Sequence, residues 1–129
     1  AESLRFIGQK HDDAKLKALT EGLDAENNGY LDNSKEPGRK VGEPDSKEYH
    51  IFLAQYWAEA LANGSNAELA AKFAPVAKAL KENEDKIMEE LLAVEGQPQD
   101  VGGYFHPNDE LASNAMIPSA TLNAIIDAI

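Results

Sequence analysis

The sequence predicts an all-α protein, a compact domain of about five to six helices with a long loop between the last helices. Three observations predict it. Apolar residues recur at helical spacing, as in Leu16, Leu19 and Leu23, or Leu122, Ile125, Ile126 and Ile129. Capping side chains followed by Glu stand ahead of the long apolar runs, Asp45 with Glu48 and Ser65 with Glu68. No segment shows the strict alternation of a half-buried strand.

The elements follow in order. Ala1–Ile7 reads as the tail of a helix ending at Gly8, and Lys10, His11 and Asp12 as a turn. Asp13–Leu23 reads as a short helix, and Asn27-Asn28-Gly29 as a turn after it. Asn33–Pro44 holds two Pro and two Gly and is irregular chain, with a brief extended pairing expected at Arg39-Lys40-Val41. Asp45 starts a strong helix. Its core, HIFLAQYWAEAL, is apolar on most sides, so it is a buried helix, ended by Asn63-Gly64. Ser65 opens the next helix, whose stripe is Leu69, Phe73, Val76, Leu80, Ile87 and Leu91; Pro75 predicts a kink or break near Phe73-Ala74, and Gly96 ends it. QPQDVGGYFHP is a loop with a short extended piece at Tyr104-Phe105. Asn108 caps a helix running through Met116, and Pro118-Ser119 opens the last one.

Composition sets the function classes. The chain of 129 residues makes one domain, 1–129, and its 43% apolar content is that of a globular protein. With 23 acids against 12 Lys and Arg, the formal charge of −11 argues against nucleic-acid or anionic-membrane partners. The absence of Cys removes disulfides, thiolate nucleophiles and Cys-based metal sites, which fits a cytoplasmic location. No apolar run is long enough to span a membrane, and no signal peptide is visible. The opening AESLRFIGQKHDD, without an initiator Met, fits a processed start or a piece of a longer protein.

DAENNGYLD, Asp24–Asp32, begins like a calcium-binding EF-hand loop: Asp24, Glu26, Asn28 and Asp32 stand at ligand positions 1, 3, 5 and 9, with Gly29 at 6. The bidentate Glu expected at position 12 is Lys35, and Pro37-Gly38 forbid an exiting helix. The competing reading is a polar turn between helices, and it explains more of the segment.

No catalytic motif stands out. His11, His50 and His106 are far apart, with no metal-binding pair among them; His50, on the buried helix, reads as a hydrogen-bonded core residue. No metal ligand and no catalytic residue is assigned. Val101-Gly102-Gly103 lacks the rest of a dinucleotide fingerprint. Trp57, Phe52 and Tyr56 read as core, and the many carboxylates as solvated helix faces. One cluster differs. SKEPGRKVGEPDSKEYH gathers Lys35, Arg39, Lys40 and Lys47 in an acidic chain, with Lys47 in the first turn of the buried helix. A helix N-terminus favours anions, so cations gathered there suit a phosphate; the plainer reading pairs them with Glu43, Asp45 or Glu48.

Several stretches together resemble one family. YLDNSKEPGRKVGEPDS is similar to the Asn-Lys-Ser-Pro-Ser-Arg-Lys-Val-Gly-Glu-x-Asp segment of the monomeric NADP-dependent isocitrate dehydrogenases. HIFLAQYWAEALA and ELAAKFAPVAKAL resemble their next two helices, and DVGGYFHPNDELASNAMIPSATLNAII resembles their C-terminal end. The resemblance implies the helical C-terminal portion of an enzyme that oxidises and decarboxylates isocitrate to 2-oxoglutarate. It implies NADP as cofactor of the full-length enzyme, magnesium or manganese bound by parts not present here, and no catalysis by this chain alone. The family's Asp-Asn-Arg-Gly-Ser-His segment supplies an Arg to the cofactor's phosphate region. The matching positions are Asp45, Ser46, Lys47, Glu48, Tyr49 and His50, so the Arg has become Lys47. Lys47, with Arg39 and Lys40, is therefore the expected cofactor contact. Met-Arg-Pro has likewise become Met116-Ile117-Pro118, and preference for NADP or NAD stays open. Under this resemblance Asp24–Asp32 falls on an ordinary turn between helices. The expected partner is the remainder of the enzyme, with self-association through an exposed apolar face as a further possibility. The alternatives are a stand-alone helical interaction module derived from the enzyme, or a calcium-binding EF-hand-like protein.

Overall fold

The computed structural model describes residues 1–33 and 37–129, residues 27, 28, 30 and 31 by their backbone. Among them run seven helices and no strand: α1 (Glu2–Lys10), α2 (Ala14–Asp32), α3 (Ser46–Ala62), α4 (Ala67–Glu82), α5 (Glu84–Leu92), α6 (Asp109–Met116) and α7 (Ala120–Asp127). The all-α expectation holds, with more helices than the sequence suggests.

α3 packs extensively on both α2 and α4 and so sits between them. Its apolar character follows from that position. α1 packs on α2, while α5 and α7 pack on the α4 side. The core joins Ile51 and Ala58 of α3, Ala77 and Leu80 of α4, and Ile87 and Leu91 of α5; Phe73, Val76, Leu122 and Ile125 pack against it. Phe73, Val76, Leu80, Ile87 and Leu91 of the expected stripe are among them. On the other side, Trp57 donates its indole N–H to the Leu19 carbonyl at 3.1 Å. Gly22 lets the helices approach there, since a Cβ would sit 3.0 Å from Leu61 Cδ2 and 3.1 Å from Trp57 Cδ1.

Several boundaries differ from the sequence reading, each for a physical reason. α1 runs through Gly8 to Lys10; Gly8 is a close-approach residue, with a Cβ there 3.1 Å from Leu16 Cβ, rather than a stop. α2 continues through Asn27-Asn28-Gly29, where a turn was expected. Packing on α3 outweighs the local turn preference, and a Gly29 Cβ would lie 3.9 Å from Tyr56 Cγ. α4 passes Pro75 without a break. Pro75 and Ala71 are both exposed, so the carbonyl that loses its N–H partner faces water. The break falls at Asn83, whose side-chain amide donates to the Ala79 carbonyl at 2.8 Å.

The cap of α4 is Asn66, accepting from Leu69 N at 3.1 Å, rather than Ser65. That register carries Leu69 into the interior. Residues 39–42 form bends and turns instead of an extended pair, closed by Gly38 N donating to the Pro44 carbonyl at 2.7 Å. Tyr104-Phe105 lies in irregular chain, both rings exposed. The expected caps at Asp45 and Asn108 are present, and the last helix opens at Pro118-Ser119 as expected, with Ser119 as its cap.

The calcium reading fails on the same backbone. Asp24 and Glu26 are on a continuous helix, where successive residues turn by about 100° and alternate side chains diverge. Asp24 is ion-paired with Arg5 at 2.5 Å, and Glu26 is buried. Burial pushes the Glu26 carboxyl up from its ordinary value. Lys35, at the twelfth loop position, lies outside the described residues.

Candidate functional site

The site forms where irregular chain meets the start of α3. Asp45 is the N-cap, its Oδ1 accepting from Lys47 N at 2.7 Å, and Glu48 closes the box by accepting from Asp45 N at 2.7 Å. This capping box, legible in the sequence, fixes the direction in which the preceding chain enters. Gly42 adopts φ 85° and donates its N–H to Glu95 Oε2 at 2.8 Å, tying the 39–43 turn to the turn that follows α5. Glu43 Oε2 accepts from Arg39 N at 3.1 Å.

The result is an open groove of about 430 Å³ bordered by Arg39, Lys40, Lys47, Asp45, Val94 and Glu95. The three expected cofactor residues thus line one groove. Arg39 and Lys40 are exposed, and Lys47 is half-buried. The acids that the plainer reading assigned to these cations as partners are engaged by backbone N–H groups, as given above. The free N–H groups at the start of α3 are partly taken by Asp45, so an anion here would meet the cationic side chains rather than the bare helix end. Lys35, the fourth cation of the cluster, lies outside the described residues.

The structure also gathers three acids that sequence reasoning did not group. One carboxylate oxygen from each of Asp45, Glu48 and Glu95 lies within 4.8 Å of the others. Glu48 is fully buried, and its Oε1 has no hydrogen-bond partner among the described residues. Burial pushes the Glu48 carboxyl up, whereas the Lys47 backbone N–H draws the Asp45 carboxyl down. Asp45 and Glu48 were recognised as a cap; their meeting with Glu95, 47 residues on, needs the tertiary fold.

His50 is exposed on α3, its Nδ1 against the Ser46 carbonyl, and is not the core histidine expected. It borders a second, mostly apolar groove of about 420 Å³ with Lys47, Ile51, Met116, Ile117 and Ile126. A larger groove of about 720 Å³ separates α4 from α7, with Lys72, Lys86 and Glu90 at its edge. None of the expected site residues lines it.

The comparisons with known proteins agree over nearly the whole chain. A sequence profile described as monomeric isocitrate dehydrogenase matches residues 1–127. The chain is 47% identical over 127 residues to the isocitrate dehydrogenase [NADP] of Azotobacter vinelandii, covering 98% of this chain and 17% of that protein. It is 43% identical over 129 residues to isocitrate dehydrogenase [NADP] 2 of Psychrobacter sp. (strain 13A), covering 99% of this chain and 17% of the relative. With isocitrate dehydrogenase [NADP] 2 of Mycobacterium tuberculosis (strain ATCC 25618 / H37Rv) it shares 42% over 124 residues, 95% and 17% of the two chains. The chain therefore spans about 17% of the length of the curated relatives it matches.

Proposed function

The chain belongs to the monomeric isocitrate dehydrogenase family, and we propose that it is the helical C-terminal portion of an NADP-dependent enzyme of that family, bordering the cofactor cleft. The observation that carries this reading is the convergence of Arg39, Lys40 and Lys47 on one groove. Three cationic side chains fit a phosphate group of the cofactor. In the full-length enzyme, NADP when bound would supply the hydride acceptor for the oxidative decarboxylation of isocitrate to 2-oxoglutarate and carbon dioxide. This chain's part is to bind and orient: Lys47 meets a phosphate as a point charge, with Arg39 and Lys40 lining the same groove. Substrate and the magnesium or manganese ion are assigned to parts of the enzyme beyond this chain, so the chain alone is inactive.

The remainder of the enzyme is the proposed partner. Met116, Ile117 and Ile126 are 74%, 58% and 54% exposed and line the apolar groove that shares Lys47 with the cation-lined one. Chain docked there would close the cofactor groove from one side. Among the described residues no helix is long and apolar enough to cross a membrane.

The test is Lys47→Ala in the full-length enzyme. Loss of one charge-assisted phosphate contact raises the NADP KM by about tenfold or more, with kcat little changed. An unchanged KM for Lys47→Ala, and for Arg39→Ala with Lys40→Ala, would overturn the cofactor assignment.

A further inference from the structure

Three carboxylates that converge at the start of α3 raise a question that the cofactor reading does not touch. Asp45, Glu48 and Glu95 come from a cap, a first helical turn and the turn after α5. Each is oriented through one oxygen by a backbone N–H: Lys47 N on Asp45, Asp45 N on Glu48 and Gly42 N on Glu95. The acids are thus held in position rather than merely crowded.

The independent observation is Glu48. Its side chain is fully buried, yet its Oε1 has no hydrogen-bond partner among the described residues. A buried carboxylate oxygen left without a partner is costly and calls for one. Asp45 and Glu95, each with a carboxylate oxygen within 4.8 Å of one of Glu48, both line the open groove, so a ligand has a path from solvent.

We propose that Asp45, Glu48 and Glu95 form a binding site for a calcium-sized divalent cation. All three ligands are carboxylates, the donor type of hard cations. Their oxygens lie within 4.8 Å of one another. Magnesium demands near-ideal octahedral geometry and gives up its waters reluctantly, so three acids fixed by backbone bonds suit calcium better. Water from the groove completes the shell. The nearby charge of Lys47 and the positive end of α3 oppose the cation, which sets the site at the weak end of calcium affinities. The site needs only the three acids and stands whether or not Lys47 meets a cofactor. It also differs from the Asp24–Asp32 segment, whose acids lie along α2.

The test is calorimetric titration of the 129-residue chain with calcium chloride, and separately with magnesium chloride, backed by melting curves. The expected result is one calcium per chain with Kd in the range of about 10⁻⁴–10⁻³ M, weaker binding of magnesium, and a calcium-dependent rise in Tm. Glu48→Gln and Glu95→Gln should each weaken calcium at least tenfold, while Asp32→Asn leaves it unchanged. Glu48→Gln keeps the size of the side chain and its acceptor for Asp45 N. Glu95→Gln lies at the rim, so far-UV circular dichroism of the pair separates lost binding from lost folding. Absence of saturable binding at ~10 mM calcium, well above the weak limit, would overturn the proposal. So would calcium binding that survives in both variants, which would mark diffuse attraction to an acidic chain.

Discussion

Replacing Gly29 by Ala asks directly whether Asn27-Asn28-Gly29 is helix or turn. Gly29 lies inside α2 near its C-terminal end, and among the described residues a Cβ there meets Tyr56 Cγ at 3.9 Å, an ordinary contact. Ala in a helix interior is favoured over Gly by about 0.5–1 kcal/mol, and the closeness of the helix end keeps the gain toward the lower figure. A gain of that size raises Tm by about 2–5 °C. Were Gly29 the left-handed residue of a turn, Ala would lower stability instead, by about 1 kcal/mol or more. Gly22 supplies the contrast within the same helix. Its Cβ would lie 3.0 Å from Leu61 Cδ2 and 3.1 Å from Trp57 Cδ1, and the indole is held by its bond to Leu19. Overpacking of about 1–3 kcal/mol exceeds the same propensity gain, so Gly22→Ala is destabilising. Urea unfolding followed by the fluorescence of Trp57 and by far-UV circular dichroism reads both variants. Loss of stability in Gly29→Ala would refute the continuous helix.

Three further outcomes follow from the packing and caps. Glu90 accepts from Ser119 Oγ at 2.6 Å, Thr121 Oγ1 at 2.7 Å and Thr121 N at 3.0 Å, so it clamps the start of α7 to α5. Those bonds lower its pKa from 4.5 to about 2, so the folded chain holds fewer protons than the unfolded chain between these values, and stability falls as pH drops through this window. Glu90→Gln should therefore lower Tm at pH 7, with the difference from the parent shrinking toward pH 2; a constant difference across that range would count against the clamp. Ile87 has no exposed surface, and Ile87→Ala should cost about 2–5 kcal/mol in a urea melt. Asn66→Ala should cost about 1 kcal/mol in the same melt and Ser65→Ala little, because Asn66 carries the cap bond; the reverse order would restore Ser65 as cap.

The helical class was legible because two local signals agreed. Asp45 with Glu48, Asn108 and Ser119 announced helix starts through side-chain chemistry that acts over three residues, and the structure shows all of them. The Leu69 to Leu91 stripe marked the core for the same reason: helical spacing is local. The misses share a cause too. Asn27-Asn28-Gly29, Pro75 and Gly8 are local stop signals overridden by a neighbour that is distant in sequence or by an exposed face. Gly8 looks like a breaker in one dimension; in three, Gly8 and Gly22 are where helices touch.

The candidate site divides along the same line. Arg39, Lys40 and Lys47 stand close in sequence, so a cluster of cations in an acidic chain was visible before any fold. Glu95 was not, because it reaches the cap of α3 only through the path of α4 and α5 and the Gly42 bond that fixes it. Its arrival changes the chemistry. A cationic rim alone describes an anion site, whereas a rim set around converging carboxylates can hold charges of both signs next to each other. The two readings separate experimentally: Lys47→Ala should act on NADP and leave calcium binding intact or tighter, since it removes a repelling charge. Glu95→Gln should weaken calcium binding at least tenfold. If Lys47→Ala weakened calcium instead, Lys47 would be organising the acids rather than opposing the cation, and the two functions would be one site.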